Sequence, residues 1–186
     1  HQLYPPAGTQ NPHASRPDWS WSDRIAFTNN GEIWTIKPDG TDAKPYYAGG
    51  TPPLQGMSYP SWYKDLKAIA AVRYYNDDRG VQQADIYKLT PMLQERLTAS
   101  PHPVAGRPSV SPDGKKIAFA GNEGVYSQEQ NQIWIVQPPN APVRLEPGDN
   151  AAFQGRSPNW SPNGDLIVFE STRPNPHPAT TTPLSL

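Results

Sequence analysis

The 186-residue chain contains no cysteine, no long hydrophobic run and no marked excess of charge. Without cysteine there is no disulfide, no thiol nucleophile, no cysteine-ligated zinc and no iron–sulfur cluster. The 16 basic and 17 acidic residues give a formal net charge of −1, so no global field draws the chain to nucleic acid or to an anionic membrane. No apolar stretch approaches the roughly 20 residues of a membrane-spanning helix. We therefore expect neither a nucleic-acid partner nor a membrane span.

Proline is abundant instead: the chain has 24 prolines, 14 glycines, 6 tryptophans and 9 tyrosines. Proline at this density excludes long helices, because its ring removes a backbone donor and clashes with the preceding turn. Short runs of aromatic and β-branched residues lie between clusters of Pro, Gly, Asn and Asp, a pattern typical of all-β proteins. The composition predicts an all-β fold.

One segment recurs four times along the chain. The copies read RPDWSWSDRIAFTN, YPSWYKDLKAIAAVR, RPSVSPDGKKIAFAG and SPNWSPNGDLIVFES, and they align on Pro17, Pro60, Pro108 and Pro158. The spacings of 43, 48 and 50 residues match the length of one propeller blade. A large apolar residue stands two positions after each proline: Trp19, Trp62, Val110 and Trp160.

Each copy predicts a β-hairpin. In the last two copies the string Ser-Pro-Asp/Asn-Gly places proline at the first central position of a type I turn and puts Gly114 or Gly164 where left-handed backbone is needed. An apolar strand follows the turn. Third strands such as EIWTI, DIYKL and QIWIV alternate with a period of two, and a shorter fourth strand comes after each. Each unit therefore predicts four short antiparallel strands.

The strings SPDGKKIAF and SPNGDLIVF, followed by strands with IW or IY, resemble the repeats of TolB-type β-propellers, which are related in architecture to WD40-like propellers. The resemblance implies a β-propeller of four-stranded antiparallel blades. We divide the chain into a Pro-rich N-terminal extension at 1–15, blades at 16–58, 59–106 and 107–156, a partial blade at 157–173, and a Pro/Thr-rich C-terminal tail at 174–186. We thus expect about three and a half blades within residues 16–173.

Three and a half blades do not close a ring, since known propellers have about four to eight. An open arc exposes a blade face and unpaired backbone at both ends. Self-closure by the N-terminal segment is disfavoured, because Pro5, Pro6 and Pro12 cannot donate to a strand ladder. We expect a protein partner, a second copy in a homo-oligomer or further sequence of a longer chain to complete the propeller.

A binding surface is predicted where equivalent loops of successive blades gather on one rim of the propeller. We expect its tyrosines to act as anchors, because large amphipathic rings dominate contact energies at interfaces. The adjacent carboxylates of Asp77 and Asp78 could also bind calcium, which prefers oxygen ligands. Their spacing does not match an EF-hand, however, and we interpret the segment as a solvated turn. The candidate binding residues are Arg73, Tyr74, Tyr75, Asp77, Asp78, Arg79, Glu123, Tyr126 and Arg173.

No motif for a reaction accompanies the repeat. The sequence has no G-x-S-x-G, no G-x-x-x-x-G-K and no H-E-x-x-H, and its four histidines lie in Pro-rich loops or termini. We therefore expect no cofactor, no metal and no catalytic residue, and interpret the chain as a non-catalytic scaffold or protein-binding and assembly module. The alternatives are the propeller part of a carbohydrate-active enzyme or peptidase, and a carbohydrate-binding module. A start at His1 without Met fits a mature product whose leader has been removed, so we expect a periplasmic or extracellular location.

Overall fold

The computed structural model describes residues 14–47, 56–65, 67–99, 104, 106–122, 131–145 and 154–172. Within these ranges the regular structure consists of 14 β-strands and contains no helix. The same ranges hold no helix with the length and apolarity needed to cross a membrane. The prediction of an all-β fold is confirmed.

The strands form three four-stranded sheets and one two-stranded sheet, and every sheet follows the order of the chain. Blade 1 contains β1 (Ala14–Trp19), β2 (Ile25–Asn29), β3 (Glu32–Ile36) and β4 (Lys44–Pro45). Blade 2 contains β5 (Met57–Trp62), β6 (Ile69–Asn76), β7 (Gln82–Leu89) and β8 (Gln94–Arg96). Blade 3 contains β9 (Ser109–Val110), β10 (Ile117–Gly121), β11 (Gln132–Val136) and β12 (Val143–Arg144), and the partial blade 4 contains β13 (Gly155–Trp160) and β14 (Ile167–Ser171). The described strands are antiparallel and form the three and a half blades that the repeats predict.

The hairpin turn between the first two strands of blades 3 and 4 follows directly from its sequence. In blade 3, Ser111 Oγ accepts the N–H of Lys116 at 2.9 Å and lies 2.6 Å from the carboxylate of Asp113, to which it donates. Gly114 adopts a φ of 71°, a conformation in which a side chain is unfavourable. Blade 4 repeats the arrangement, with Ser161 in place of the first serine. The Ser-Pro-Asp/Asn-Gly string therefore encodes this turn.

Apolar residues at alternate strand positions form the interfaces between blades. The interface of blades 1 and 2 contains Ala26, Ile33, Met57, Ile69, Ala71, Tyr87 and Leu89. The interface of blades 2 and 3 contains Ala70, Val72, Ala84, Ile86, Ile117, Phe119, Trp134 and Val136. Strand β6 contributes to both, because its successive side chains point to opposite faces. The opposite face of blade 1, with Ile25, Phe27 and Ile36, is also buried, although no described blade packs against it.

The repeated prolines of blades 1, 2 and 4 lie in bulges on the first strand, whereas Pro108 of blade 3 directly precedes β9. In β1, β5 and β13 the register with the following strand shifts across the X-Pro pair. The residue before the proline has a positive φ in all three: 56° at Arg16, 55° at Tyr59 and 49° at Ser157. Such values are uncommon for residues with a side chain, and a bulge re-aims the side chain that it carries. The first strands of successive blades contact one another, so these bulges lie around the centre of the arc.

Candidate functional site

Six of the nine predicted binding residues are described, and all six belong to blade 2. Arg73, Tyr74 and Tyr75 lie on β6, whereas Asp77, Asp78 and Arg79 lie in the turn between β6 and β7. The other three, Glu123, Tyr126 and Arg173, fall outside the described residues. The convergence of loops from blades 2, 3 and 4 on one rim therefore stays a prediction.

Asp77 is engaged by its own turn. Its Oδ1 accepts the N–H groups of Arg79 and Val81, both at 2.9 Å, and Arg79 Nη2 lies 3.0 Å from its Oδ2. These bonds hold the pKa of Asp77 below its usual range, and the hydrogen bond from the Val81 N–H has the largest effect. Gly80 donates to the Asp77 carbonyl at 2.8 Å and closes the turn. The structure favours a self-stabilised, solvated turn here over a calcium ligand, and the described residues hold no cluster of three or more metal-ligating side chains.

A buried carboxylate on β7 explains the position of Tyr75. Asp85, which is 1% exposed, accepts the hydroxyls of Thr98 at 2.9 Å and Tyr75 at 2.6 Å, and Arg96 Nη2 lies 2.7 Å from its Oδ2. Thr98 Oγ1 also accepts the N–H of Ile86 at 2.9 Å. Burial, followed by the bond to Asp85, raises the pKa of Tyr75 to about 12. The hydroxyl of Tyr75 is thus used in a hydrogen bond within the blade.

Arg73 extends this network to a second ring. Its guanidinium carbon lies 5.1 Å from the ring centre of Tyr75 and 5.8 Å from that of Tyr87, distances typical of cation–π contacts. Asp85, the centre of the network, was not predicted from the sequence. The available signal was an acidic residue between the apolar Ala84 and Ile86 of β7, since a charged residue is almost never fully buried unless it is paired.

A second concave site, which we call the central hollow, lies where the first strands of the blades meet. It has a volume of about 330 Å³ and is lined by Tyr59, Gly106, Arg107, Ala120, Asn131, Arg156 and Ser157. At the edge of the hollow, Arg16 of blade 1 stacks on the ring of Tyr59, with its guanidinium carbon 3.9 Å from the ring centre. Arg16, Tyr59, Arg107 and Ser157 are the four residues that precede the repeated prolines. The repeat therefore brings one side chain from every blade to this place.

The central hollow is rich in positive charge. Arg16, Arg107 and Arg156 lie in or beside it, and the facing carboxylate is Asp18, whose Oδ1 is 3.5 Å from Arg107 Nη2. Asp18 also accepts the N–H of Trp62 at 2.8 Å. Burial raises the pKa of Asp18, and this effect outweighs the opposing effects of Trp62 and Arg107. Among the described residues, three guanidinium groups and one carboxylate lie in or beside the hollow, a local environment that suits an anion.

The residue after each proline joins neighbouring blades. Its side-chain oxygen accepts the backbone N–H of the apolar residue that stands two positions after the proline of the next blade. The pairs are Asp18 with Trp62 at 2.8 Å, Ser61 with Val110 at 3.3 Å and Ser109 with Trp160 at 3.2 Å. The repeated string therefore encodes a hydrogen bond across every described blade interface, which sequence reasoning also missed.

Both ends of the arc present apolar surface. At blade 1, Trp19 is 60% exposed and lines a hollow of about 430 Å³ that reaches Phe27. At blade 4, Val168 is 69% exposed, although the register of β13 with β14 makes it equivalent to Ala118, which is fully buried in blade 3. Each end of the arc thus exposes one large apolar side chain, Trp19 or Val168.

No family model and no curated protein matches the chain. Solved structures do match its fold. A TolB structure from Agrobacterium tumefaciens has a TM-score of 0.64 and 19% identity, covering 87% of this chain and 55% of that one. TolB from Acinetobacter baumannii has a TM-score of 0.58 and 20% identity, covering 84% of this chain and 38% of that one. Oligogalacturonate lyase from Vibrio parahaemolyticus has a TM-score of 0.56 and 17% identity, covering 84% of this chain and 45% of that one.

Fold and site together define a partial β-propeller. Its particular architecture is that of TolB-type propellers, as the repeat strings predict. At these identities the likeness concerns the fold alone. The chain spans about half the length of the structures that it matches, so its blades correspond to part of each of those proteins.

Proposed function

We propose that this propeller scaffold is non-catalytic and works as an assembly module, binding another polypeptide through the open ends of its arc. The single observation that supports this most strongly is the apolar surface at both ends. Contiguous apolar surface rimmed by polar residues commonly marks an interaction site. Burial of a large apolar side chain contributes about 1.5–3 kcal/mol, so covering Trp19 and Val168 would supply a substantial part of a binding free energy.

The chemistry of the ends indicates what the partner presents. Blade 4 exposes Val168, whereas the equivalent residues of the inner blades, Ala70 and Ala118, are fully buried. The blade-to-blade hydrogen bonds add a requirement, because the next blade supplies a backbone N–H to the residue after the proline, which in blade 4 is Asn159. A sheet from a protein partner or from a second copy of this chain meets both requirements. The periplasmic or extracellular location is part of the proposal and rests on the TolB-type fold.

Catalysis is the second candidate, because one of the similar structures is an oligogalacturonate lyase. The described lining of the central hollow contains neither histidine nor a carboxylate pair. The carboxylate beside it, Asp18, accepts the N–H of Trp62 and so serves the blade interface. A carbohydrate-binding module would stack sugars on exposed rings such as those of Trp19 and Trp21. The assembly module also accounts for the exposed Val168 and for the hydrogen bonds that join successive blades, so we favour it.

The test measures association with the ends altered. The purified chain, with a mass of 20.5 kDa as a monomer, is analysed by sedimentation velocity and then used as bait in an extract of its source cells. We expect self-association or capture of a partner, lost in Trp19→Asp and in Val168→Asp. The control is Met92→Asp, which alters an exposed apolar residue between β7 and β8, away from both ends.

The proposal fails if the wild-type chain stays monomeric and captures nothing, or if Met92→Asp abolishes association as completely as the two end variants. Circular dichroism confirms that each variant keeps its strand content. Fractionation of the source cells by osmotic shock tests the location, and recovery with the cytoplasmic fraction would contradict it.

A further inference from the structure

The central hollow has the size of a small-molecule site. Ligand pockets occupy roughly 300 to 1,000 Å³, and this one of about 330 Å³ lies at the lower end of that range. It therefore suits a compact ligand or a single side chain better than an extended surface. Neither of the exposed end residues, Trp19 and Val168, lines it.

The donors that line the hollow belong to arginine. Arg107 is about half exposed, and its side chain has Asp18 as ion-pair partner at 3.5 Å, near the outer limit of such a contact. A guanidinium carries five N–H donors in a planar fork that matches the two oxygens of a carboxylate or the edge of a phosphate. Arg156 lines the same hollow from blade 4, donates from Nη2 to Gln154 Oε1 at 3.2 Å, and adds a second positive charge. An entering anion would thus meet two guanidinium groups.

The backbone around the hollow is built in an unusual way. Tyr59 and Ser157 line it with positive φ values, and Arg16, which has the same conformation, stacks 3.9 Å from the ring centre of Tyr59. Residues held in such conformations cluster at ligand sites. The stacked arginine also orients the Tyr59 ring and adds a third positive charge beside the hollow.

We propose that the central hollow binds a small organic anion, with Arg107 and Arg156 holding its carboxylate or phosphate group beside the ring of Tyr59. The site differs from the rim predicted from the sequence and from the open ends, and it is independent of the assembly proposed above. Its ligand class follows from the chemistry of the lining: two guanidinium groups for the charge, one aromatic ring for the carbon skeleton, and a volume that admits a few carbon atoms.

The experiment is isothermal titration calorimetry of the full chain at low ionic strength with three probes: succinate, inorganic phosphate and uncharged succinamide. We expect one saturable site per chain for succinate, for phosphate or for both, and none for succinamide. Binding of succinate alone identifies a carboxylate ligand, and binding of phosphate alone identifies a phosphate ligand. Added salt should weaken either, because the attraction is electrostatic.

The variants locate the site. We expect Arg107→Gln and Arg156→Gln each to weaken binding by about tenfold or more, because each removes charge-assisted hydrogen bonds. Arg107→Lys should give an intermediate loss, since it keeps the charge and loses the planar fork. The matched control is Lys115→Gln, which removes an exposed positive charge from the turn between β9 and β10, outside the lining of the hollow, and should leave affinity unchanged. Retained unfolding midpoints confirm that the variants are folded.

Three results would overturn the proposal: no saturable binding of either anion, equal binding of succinamide, or a loss in Lys115→Gln as large as in Arg107→Gln. The last result would show that affinity follows the net charge of the chain and not the arginines of the central hollow.

Discussion

Asp85→Asn is expected to lower the free energy of unfolding by about 3 kcal/mol. The carboxylate is buried and accepts three hydrogen bonds, from Thr98, Tyr75 and Arg96. Asparagine has nearly the same shape but only one acceptor oxygen. If that oxygen serves Thr98, the amide NH₂ faces Tyr75 and Arg96, which are both donors.

The magnitude follows from the two bonds that are lost. A hydrogen bond to a charged group contributes about 1.5–3 kcal/mol, so two of them contribute about 3–6 kcal/mol. The Arg96 side chain is 42% exposed and Tyr75 is partly exposed, so water replaces part of what each loses. We therefore expect a cost near the lower end of that range.

The assay is urea unfolding followed by far-UV circular dichroism, with Asp78→Asn as the matched control. Asp78 is exposed in the neighbouring turn, and its substitution should change stability by less than about 0.5 kcal/mol. A double-mutant cycle with Tyr75→Phe should give a coupling energy of about 1 kcal/mol or more, because the two residues share a bond of 2.6 Å. A cost below about 1 kcal/mol, or strict additivity in the cycle, would refute the structural role assigned to the network.

Three further substitutions test the blade contacts and the predicted turn. Gly155→Ala should destabilise by about 1–3 kcal/mol in thermal unfolding, because a Cβ would lie 2.7 Å from Ile133 Cγ1; an unchanged midpoint contradicts this. Ser109→Ala should cost about 1–2 kcal/mol in urea unfolding, since the N–H of Trp160 loses its acceptor across the interface, and a neutral effect would exclude such a role. The pKa of Asp77 is lower in the folded chain than the ordinary 3.8, so its carboxylate stabilises the fold above pH 3.8, and this contribution is lost as the pH falls through the folded-state pKa. Asp77→Asn should therefore lose less stability than the wild type between neutral and acidic pH, as measured by urea unfolding at a series of pH values. The same pH dependence of the free energy of unfolding in both proteins would disprove this.

The repeat was readable because each of its signals is local. Gly114 needs positive φ for its own turn, and the alternation of Ile69 to Val72 reflects the two faces of a single strand. Such local features can be recognised in the sequence alone, so the antiparallel four-stranded blades and their number were predicted correctly. The fold type followed from the same strings, and the structural comparison confirms it.

The site was harder to predict, because its residues are far apart in the chain. Tyr75 was expected to act as an anchor, and the structure commits its hydroxyl to Asp85. Nothing in the sequence places Arg107 within 3.5 Å of Asp18, since these residues are separated by 89 positions. The role of the rim in binding stays a prediction.

The sequence by itself determined the strands, the turns and the division into blades, because hydrophobic periodicity and turn chemistry act over a few residues. Only the tertiary structure decided which side chains meet. Stacking the blades turned the residues around each proline into a chain of hydrogen bonds between blades and gathered three arginines around one hollow. The physical reason is that these contacts depend on how the blades pack and on how the bulges aim their side chains, and neither is a local property of the chain.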